Sequence, residues 1–359
     1  MTLIPNSKTA YLEIDQLQCG YDSTPVINGI SFWLERGQIG CLLGPSGCGK
    51  STALRAIAGF LKPFSGSINV NGRCLSDNRK CLPPEKRNLG MVFQDYALFP
   101  HMTVRENLGF GLNRLSVSER ERVCDEYLEL IRMSGYANAY PAELSGGQQQ
   151  RVAVARSLAI KPDILLLDEP FSGLDVELRR ELNQSVRDIL KKSSTTALLV
   201  THDQEEAFAV ADRIGVMRSG KLHQWDTAYN LYHRPGDRFV ANFVGRGSFI
   251  PGQVVGAKDV ETELGKLNGV SQVPMGQLKE VDLLIRPDDV HIDPDSSIRG
   301  KIERKLFIGT STLYRLRLAS GNYIETMLPS HEDYEIGSMH GLRIDAPHLI
   351  VFPRHLEHV

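Results

Sequence analysis

Residues 44–51 read GPSGCGKS, a G-x-x-x-x-G-K-[ST] pattern whose backbone curls around phosphate. Its glycines let consecutive N–H groups turn toward phosphate oxygens, and a helix starting there adds partial positive charge. In this arrangement Lys50 reaches the β- and γ-phosphates, and Ser51 offers its hydroxyl to Mg2+. A nucleoside triphosphate is the expected ligand, held by Gly44, Pro45, Ser46, Gly47, Cys48, Gly49, Lys50, Ser51 and Thr52. The stretch ILLLDEP, residues 164–170, supplies the acidic half. Asp168, at the end of an apolar strand, would hold the Mg2+ from its other side. Glu169 is a second carboxylate where an attacking water should sit, and is the candidate general base.

These groups need a strand before the loop and a helix after it. QIGCLLG is a short apolar strand, and KSTALRAIAGF reads as a helix stopped near Lys62-Pro63. DILLLDEP and TALLVTHD are further buried strands. VELRRELNQSVRDILKK is amphipathic, with Leu178, Leu182, Val186 and Ile189 on one face. VSERERVCDEYLELIRMS is also helical in spacing, with Gly135 expected as its C′ residue. Asp203 and Glu206 resemble a capping box for the next short helix. Strands alternating with helices give an α/β class with a mainly parallel sheet covered on both faces. Residues before about 40 read instead as strands and turns, YLEIDQL and INGISFWLERG.

The stretch LSGGQQQRVAVARSLA, residues 144–159, is a good helix with a strange start. Each Gly costs a helix interior about 1 kcal/mol, yet Gly146 and Gly147 stand where this one nucleates. Lys161-Pro162 closes it.

After about residue 240 the texture changes. TLYRLRL alternates, ASGN turns and YIETM alternates back, forming a hairpin. DLLIRPDDVHI and GLRIDAPHLIVF look alike, and the segment reads as a separate small all-β domain of barrel type. RPDDVHIDPD gathers Asp288, Asp289, His291, Asp293 and Asp295, which could be drawn as a ferric-ion site. Alternation places these side chains on a solvated strand face and an adjoining turn, the reading adopted here.

The chain has 359 residues, enough for about two domains, and a formal net charge of −2. That balance gives no basic footprint for nucleic acid. The first residues, MTLIPNSKTAYLEID, have no basic-then-apolar stretch of a secretory signal. Apolar runs such as ILLL at 164–167 fall far short of the roughly 18 residues of a membrane span. The six cysteines (Cys19, Cys41, Cys48, Cys74, Cys81 and Cys124) form no C-x-x-C and read as reduced packing residues.

LSGGQ at 144–148 narrows the class. With GPSGCGKS, LLLDEP, SGLD at 172–175 and THD at 201–203, in that order, the chain resembles the ATP-binding subunits of ABC transporters over residues 11–240. The remainder resembles the C-terminal regulatory β-barrel of bacterial import ATPases for oxyanions, sugars, polyamines or ferric ions. The resemblance implies a P-loop NTPase core with an N-terminal antiparallel β part and a helical subdomain at about 95–160. The ATP-binding domain would cover 1–240, and an OB-like β-barrel regulatory domain 241–359.

The resemblance also implies roles. Gln94 in VFQDYALFP would approach the Mg2+ and the attacking water, and its loop would meet the membrane permease subunits. His202 would reach the γ-phosphate, and Tyr21 would stack on adenine. Leu144 would pack and Ser145 would be the N-cap. Gly146 and Gly147 would leave N–H groups bare for an anion. With Gln148 and Asp175, these residues would contact the ATP of a second, head-to-tail copy, making a homodimer. The expected place is the cytoplasmic face of the bacterial inner membrane, as a peripheral subunit served by a periplasmic solute-binding protein. The stretch from Pro25 to Phe60 and FIGTSTLYRLRLASG look most like ferric-iron importers. Sulfate, polyamine and sugar importers follow. A soluble ABC ATPase acting on DNA or ribosomes would carry tandem cassettes, coiled coil or basic insertions, which this sequence lacks. A P-loop kinase would leave LSGGQ without a role.

Overall fold

A computed structural model describes residues 10–172 and 176–354; of Val176 and Leu178 it describes the backbone only. The chain divides into two compact units, one through Ala228 and one from Tyr229. The division falls ahead of the change in texture at 240, because two short helices precede the β-rich part of the second unit.

In the first unit, β1 (Leu12–Tyr21), β2 (Thr24–Leu34), β4 (Ser65–Val70) and β5 (Arg73–Ser76) form an antiparallel sheet in the order β2-β1-β4-β5. A second sheet contains β3 (Ile39–Leu43), β6 (Leu89–Val92), β7 (Ile164–Asp168), β8 (Thr196–Thr201), β9 (Arg213–Arg218) and β10 (Lys221–Asp226). Its order is β10-β9-β3-β8-β7-β6, with every pairing parallel except β9 with β10. β3 and β8 are buried at every residue, the mark of strands covered on both faces.

Among the described residues, the α-helices that accompany these sheets are α1 (Lys50–Ala58), α2 (Val104–Gly109), α3 (Val117–Leu130), α4 (Gly146–Ala159), α5 (Val176–Lys192) and α6 (Gln204–Val210). α2, α3 and α4 pack on one another as a helical group. α1 ends at Gly59, which takes the left-handed conformation, short of the expected stop at Lys62-Pro63. α3 also corrects an expectation. It ends at Leu130, and Arg132 (φ 57°) takes the left-handed position while Met133 N–H bonds Leu128 O at 2.8 Å. Gly135 lies further on, in a 3-10 turn at Ser134–Tyr136.

The second unit begins with α7 (Ala228–His233, its first residue in the first unit) and α8 (Arg238–Val244). Two sheets follow. One runs Gly265–Asn268, Asp259–Thr262, Ser248–Gly256, Glu280–Ile285, His348–Pro353, Val270–Ser271; the other runs Val290–Ile292, Met339–Ile344, Arg299–Phe307, Ser311–Arg317, Tyr323–Pro329. All pairings are antiparallel except the two-residue Val270–Ser271 with His348–Pro353. One apolar core, including Ile250, Leu283, Tyr314 and Leu342, joins both sheets into a small barrel-like β-domain. The expected hairpin is there, with Gly321 (φ 93°) in its turn.

Arg286 explains the RPDDV stretch. It is 1% exposed and donates to Tyr232 O (3.0 Å), Ala241 O (3.0 Å) and Arg246 O (2.8 Å), so one guanidinium meets carbonyls around the ends of α7 and α8. The acidic residues are therefore not all on a solvated face. Asp288 accepts from Tyr232 Oη at 2.7 Å. Asp289 is half-buried, and burial pushes its carboxyl up to about 6. No group of three or more His, Cys, Asp or Glu among the described residues is arranged to hold a metal ion. The six cysteines are all free, and burial pushes the Cys19 thiol up to about 12.

Candidate functional site

The order β3-β8-β7-β6 brings four chain segments to one edge. The strands are parallel, so their C-terminal ends open on the same side, where open α/β sheets bind ligands.

From β3 the chain enters the 44–49 loop and then α1. Gly47 (φ 78°) and Gly49 (φ 107°) take conformations that L side chains rarely adopt. A Cβ at Gly49 would also meet Ile27 Cδ1 at 2.5 Å, whereas Gly47 has open space around it. Gly49 caps α1 without any side-chain hydrogen bond, leaving the helix start uncovered. Lys50 is 4% exposed, and its Nζ donates to Gly44 O (2.8 Å) and Pro45 O (3.1 Å). Among the described residues it forms no ion pair, and a buried ammonium without a counter-charge is costly. A phosphate would supply that charge. Ser51 Oγ donates to Asp168 Oδ1 at 2.8 Å, setting two hard oxygen donors side by side, the donor type that Mg2+ prefers.

The parallel pairing of β7 with β8 brings Glu169 and His202 close. Asp168 of β7 pairs with Val200 of β8, so Glu169 follows its strand level with Thr201, one residue before His202. His202 Nδ1 lies 3.4 Å from Glu169 Oε2. Glu169 sits at φ 45°, with its N–H bonded to Val200 O (3.1 Å) and its carbonyl accepting from Ser172 N (3.2 Å) and Oγ (3.0 Å). A left-handed non-glycine residue costs roughly 1–2 kcal/mol; here that conformation turns the carboxylate toward β8. Gln94 is exposed two residues past β6, in line with Glu169 by the register of β6 with β7.

Other expected residues lie apart from this cluster. Tyr21, 44% exposed at the end of β1, accepts from Arg55 of α1 at 3.3 Å. Ser145 caps α4 in a reciprocal box with Gln148: Ser145 Oγ accepts from Gln148 N (3.3 Å), and Gln148 Oε1 accepts from Ser145 N (2.9 Å). The start that looked bare is thus capped by its own serine, and Gln148 is engaged within its own helix. Leu144 is buried, as expected of its packing role. Asp175 lies outside the described residues.

Two further positions carry no sequence signal, and a third has a role other than the expected one. Arg156 of α4 donates to Ala97 O (2.7 Å) and Tyr96 O (3.2 Å), holding the left-handed turn that follows Gln94 (φ 60° at Tyr96, 46° at Ala97). Arg179 and Glu206 frame the His202 loop. Nothing in local spacing marks the two arginines. Glu206 was visible, but as the wrong half of a capping box.

Residues 27–172 match the ABC transporter family and residues 283–352 the TOBE domain family. The chain belongs to the ATP-binding subunits of ABC transporters and is an importer ATPase with a C-terminal regulatory domain. It is 40% identical over 333 residues to the Fe(3+) ions import ATP-binding protein FbpC of Fusobacterium nucleatum, covering 90% of this chain and 87% of that one. It is 42% identical over 327 residues to the spermidine/putrescine import ATP-binding protein PotA of Pseudomonas fluorescens, covering 86% of each. The PotA protein of Ruegeria pomeroyi is 38% identical over 348 residues, 94% of each. ATPases of this family use Mg2+ with ATP, form dimers and work with membrane permease subunits. Among the described residues no helix is long and apolar enough to cross a membrane.

Proposed function

We propose that this chain hydrolyses ATP at the β3-β8-β7 edge, between two head-to-tail copies of itself, to drive ferric-ion import. The observation carrying the hydrolytic reading is the convergence of Ser51 on Asp168 (2.8 Å) and of His202 on Glu169 (3.4 Å). The loop from Gly44 to Thr52 binds the phosphates, Lys50 neutralises them, and Tyr21 stacks on the adenine. Ser51, Asp168 and Gln94 would hold Mg2+, which when bound offsets phosphate charge. Glu169 takes a proton from the attacking water as its oxygen bonds the γ-phosphorus and the bridging bond to ADP breaks. His202 steadies the γ-phosphate opposite. Ser145, Gly146, Gly147, Gln148 and Asp175 meet the ATP held by the second copy. The N–H groups of Gly146 and Gly147 lie at the start of a fourteen-residue helix, where intrahelical partners are lacking.

The chain would sit on the cytoplasmic face of the inner membrane, its Gln94 loop against the permease, with a periplasmic binding protein delivering cargo. Ferric ions are the proposed cargo, supported by the FbpC relative. The PotA relatives favour a second reading, polyamine import. The test is the complex reconstituted with its cognate permease and binding protein. Ferric ions should stimulate ATP turnover and be taken up, whereas spermidine, putrescine, sulfate and maltose should not. Stimulation by a polyamine alone would refute the ferric reading and leave the motor intact.

A further inference from the structure

His202 stands just past β8 with its side chain 54% exposed. An exposed imidazole held beside a carboxylate gives up rotamer freedom, so its backbone must be well placed. Its two neighbours in sequence are both committed elsewhere. Thr201 Oγ1 donates to Glu206 Oε2 and accepts from Asp203 N at 3.0 Å. Asp203 Oδ1 accepts from Glu206 N at 3.2 Å, and its Oδ2 accepts from Arg179 Nη1 at 2.9 Å. Arg179 Nε lies 3.7 Å from Glu206 Oε1, which closes the circuit.

We propose that Glu206, Thr201, Asp203 and Arg179 form a positioning ring for His202, clamping the backbone on both sides of the histidine so that its imidazole stays beside Glu169. The proposal rests on the reading of His202 and Glu169 given above. A helix cap alone does not account for the arrangement. A capping box would return the Glu206 carboxylate to Asp203 N, but that N–H goes to Thr201 instead. Glu206 leaves the box to tie the end of β8 to α5. It is 3% exposed, so an ionised form depends on these partners. Burial pushes its carboxyl up; the Thr201 hydroxyl opposes this, Asp203 adds to it, and Arg179 and His202 oppose it.

The test uses the full chain in steady-state Mg-ATP hydrolysis, with wild type and His202→Ala as references. Misplacing a reacting group by about 1 Å costs on the order of a hundredfold. Glu206→Gln keeps the size but loses the charge facing Arg179, so kcat should fall roughly ten- to hundredfold. KM for Mg-ATP should stay within about twofold, since the phosphate loop is untouched. Arg179→Met, on a partly exposed side chain that tolerates replacement, should show a similar fall, and Arg179→Lys a smaller one. The double variant should fall no further than the worse single, because the ring acts as one unit. A wild-type kcat in Glu206→Gln, or two falls that multiply, would overturn the ring. A lowered melting temperature with kcat intact would overturn it too, as the mark of a purely structural role. If His202→Ala itself turned over like wild type, the reading of His202 would fall and the ring with it. A slow His202→Ala beside a fast Glu206→Gln would remove the ring alone.

Discussion

Glu169→Gln isolates proton abstraction from everything else at the site. The replacement keeps the side-chain length and leaves the backbone at the same left-handed φ of 45°. Its carbonyl can still approach His202 Nδ1, now 3.4 Å from the carboxylate. What is lost is the negative charge, and the basicity with it. General base catalysis contributes about 10²–10⁴ in rate, or roughly 3–5 kcal/mol of barrier at 1.36 kcal/mol per decade. The proposed phosphate contacts lie on another segment, Gly44–Ser51, so ATP affinity should change by less than about twofold. Three readouts belong together: phosphate release at saturating Mg-ATP, equilibrium titration with a fluorescent ATP analogue, and size-exclusion chromatography with ATP. The expected result is slow hydrolysis, normal binding and accumulation of dimer. A kcat within about threefold of wild type would remove Glu169 from its assigned role. Loss of binding would instead show that the carboxylate maintains the loop.

Lys50→Ala should weaken Mg-ATP binding or turnover by about ten- to a hundredfold, since hydrogen bonds to charged groups are worth about 1.5–3 kcal/mol; unchanged kinetics and titration would reject the phosphate loop. Ser145→Arg places bulk and charge at the start of α4 and should block hydrolysis while leaving ATP titration of the monomer unchanged; loss of monomer binding would mean that the helix acts within its own chain. Asp289→Asn should stabilise the C-terminal unit above about pH 6, where the native carboxyl, pushed up to about 6 from 3.8, ionises at a cost. The gain, up to about 3 kcal/mol at 1.36 per unit, should shrink as pH falls from 6 and vanish below about 4, where both forms are neutral. Amide-exchange protection of Glu280–Ile285 relative to wild type at each pH reads it out, and a gain independent of pH would refute it.

The strand–loop–helix at Gly44–Ser51 was legible because the motif is contiguous: a lysine, a hydroxyl and glycines, two of them at positive φ, within eight residues. Asp168 and Glu169 were legible as the acidic end of an apolar strand. That Glu169 faces His202 depends on β7 and β8 being neighbours, a tertiary choice that the order β3-β8-β7 makes and local periodicity does not. Gly135 misled because glycine favours a C′ position without compelling it, and Arg132 accepted the left-handed turn first. α7 and α8 escaped notice because helices of six and seven residues make barely two turns, although Asp237 marks the start of α8 by accepting from Val240 N at 2.8 Å. Arg286, at least 40 residues away in sequence, also ties carbonyls near their ends together.

Arg286 has a counterpart at the C-terminal end of α1, and the two together show how this fold handles helix ends. Arg87 is also 1% exposed. It donates to Ala56 O (2.9 Å) and Ile57 O (2.8 Å) of α1, to Leu82 O (2.7 Å), and to Cys81 Sγ (3.3 Å). A Cβ on Gly59 would meet Arg87 Nε at 2.5 Å, so the left-handed glycine that stops α1 also admits the guanidinium. Neither arginine forms an ion pair with a carboxylate among the described residues, and burial lowers the pKa of both. Their guanidinium N–H groups go mainly to carbonyls at helix ends, where unsatisfied acceptors concentrate, and Asp288 and Asp289 add favourable charge near Arg286. In α1 this leaves opposite needs at opposite ends. The carbonyl end is already met by Arg87, and the N–H end is capped by nothing but Gly49. A helix compensated at one end and open at the other presents its remaining partial charge to whatever anion enters the loop. If the loop binds phosphate as proposed, Arg87 supports it from the far end of the helix, by holding α1 in place without competing for its N-terminus.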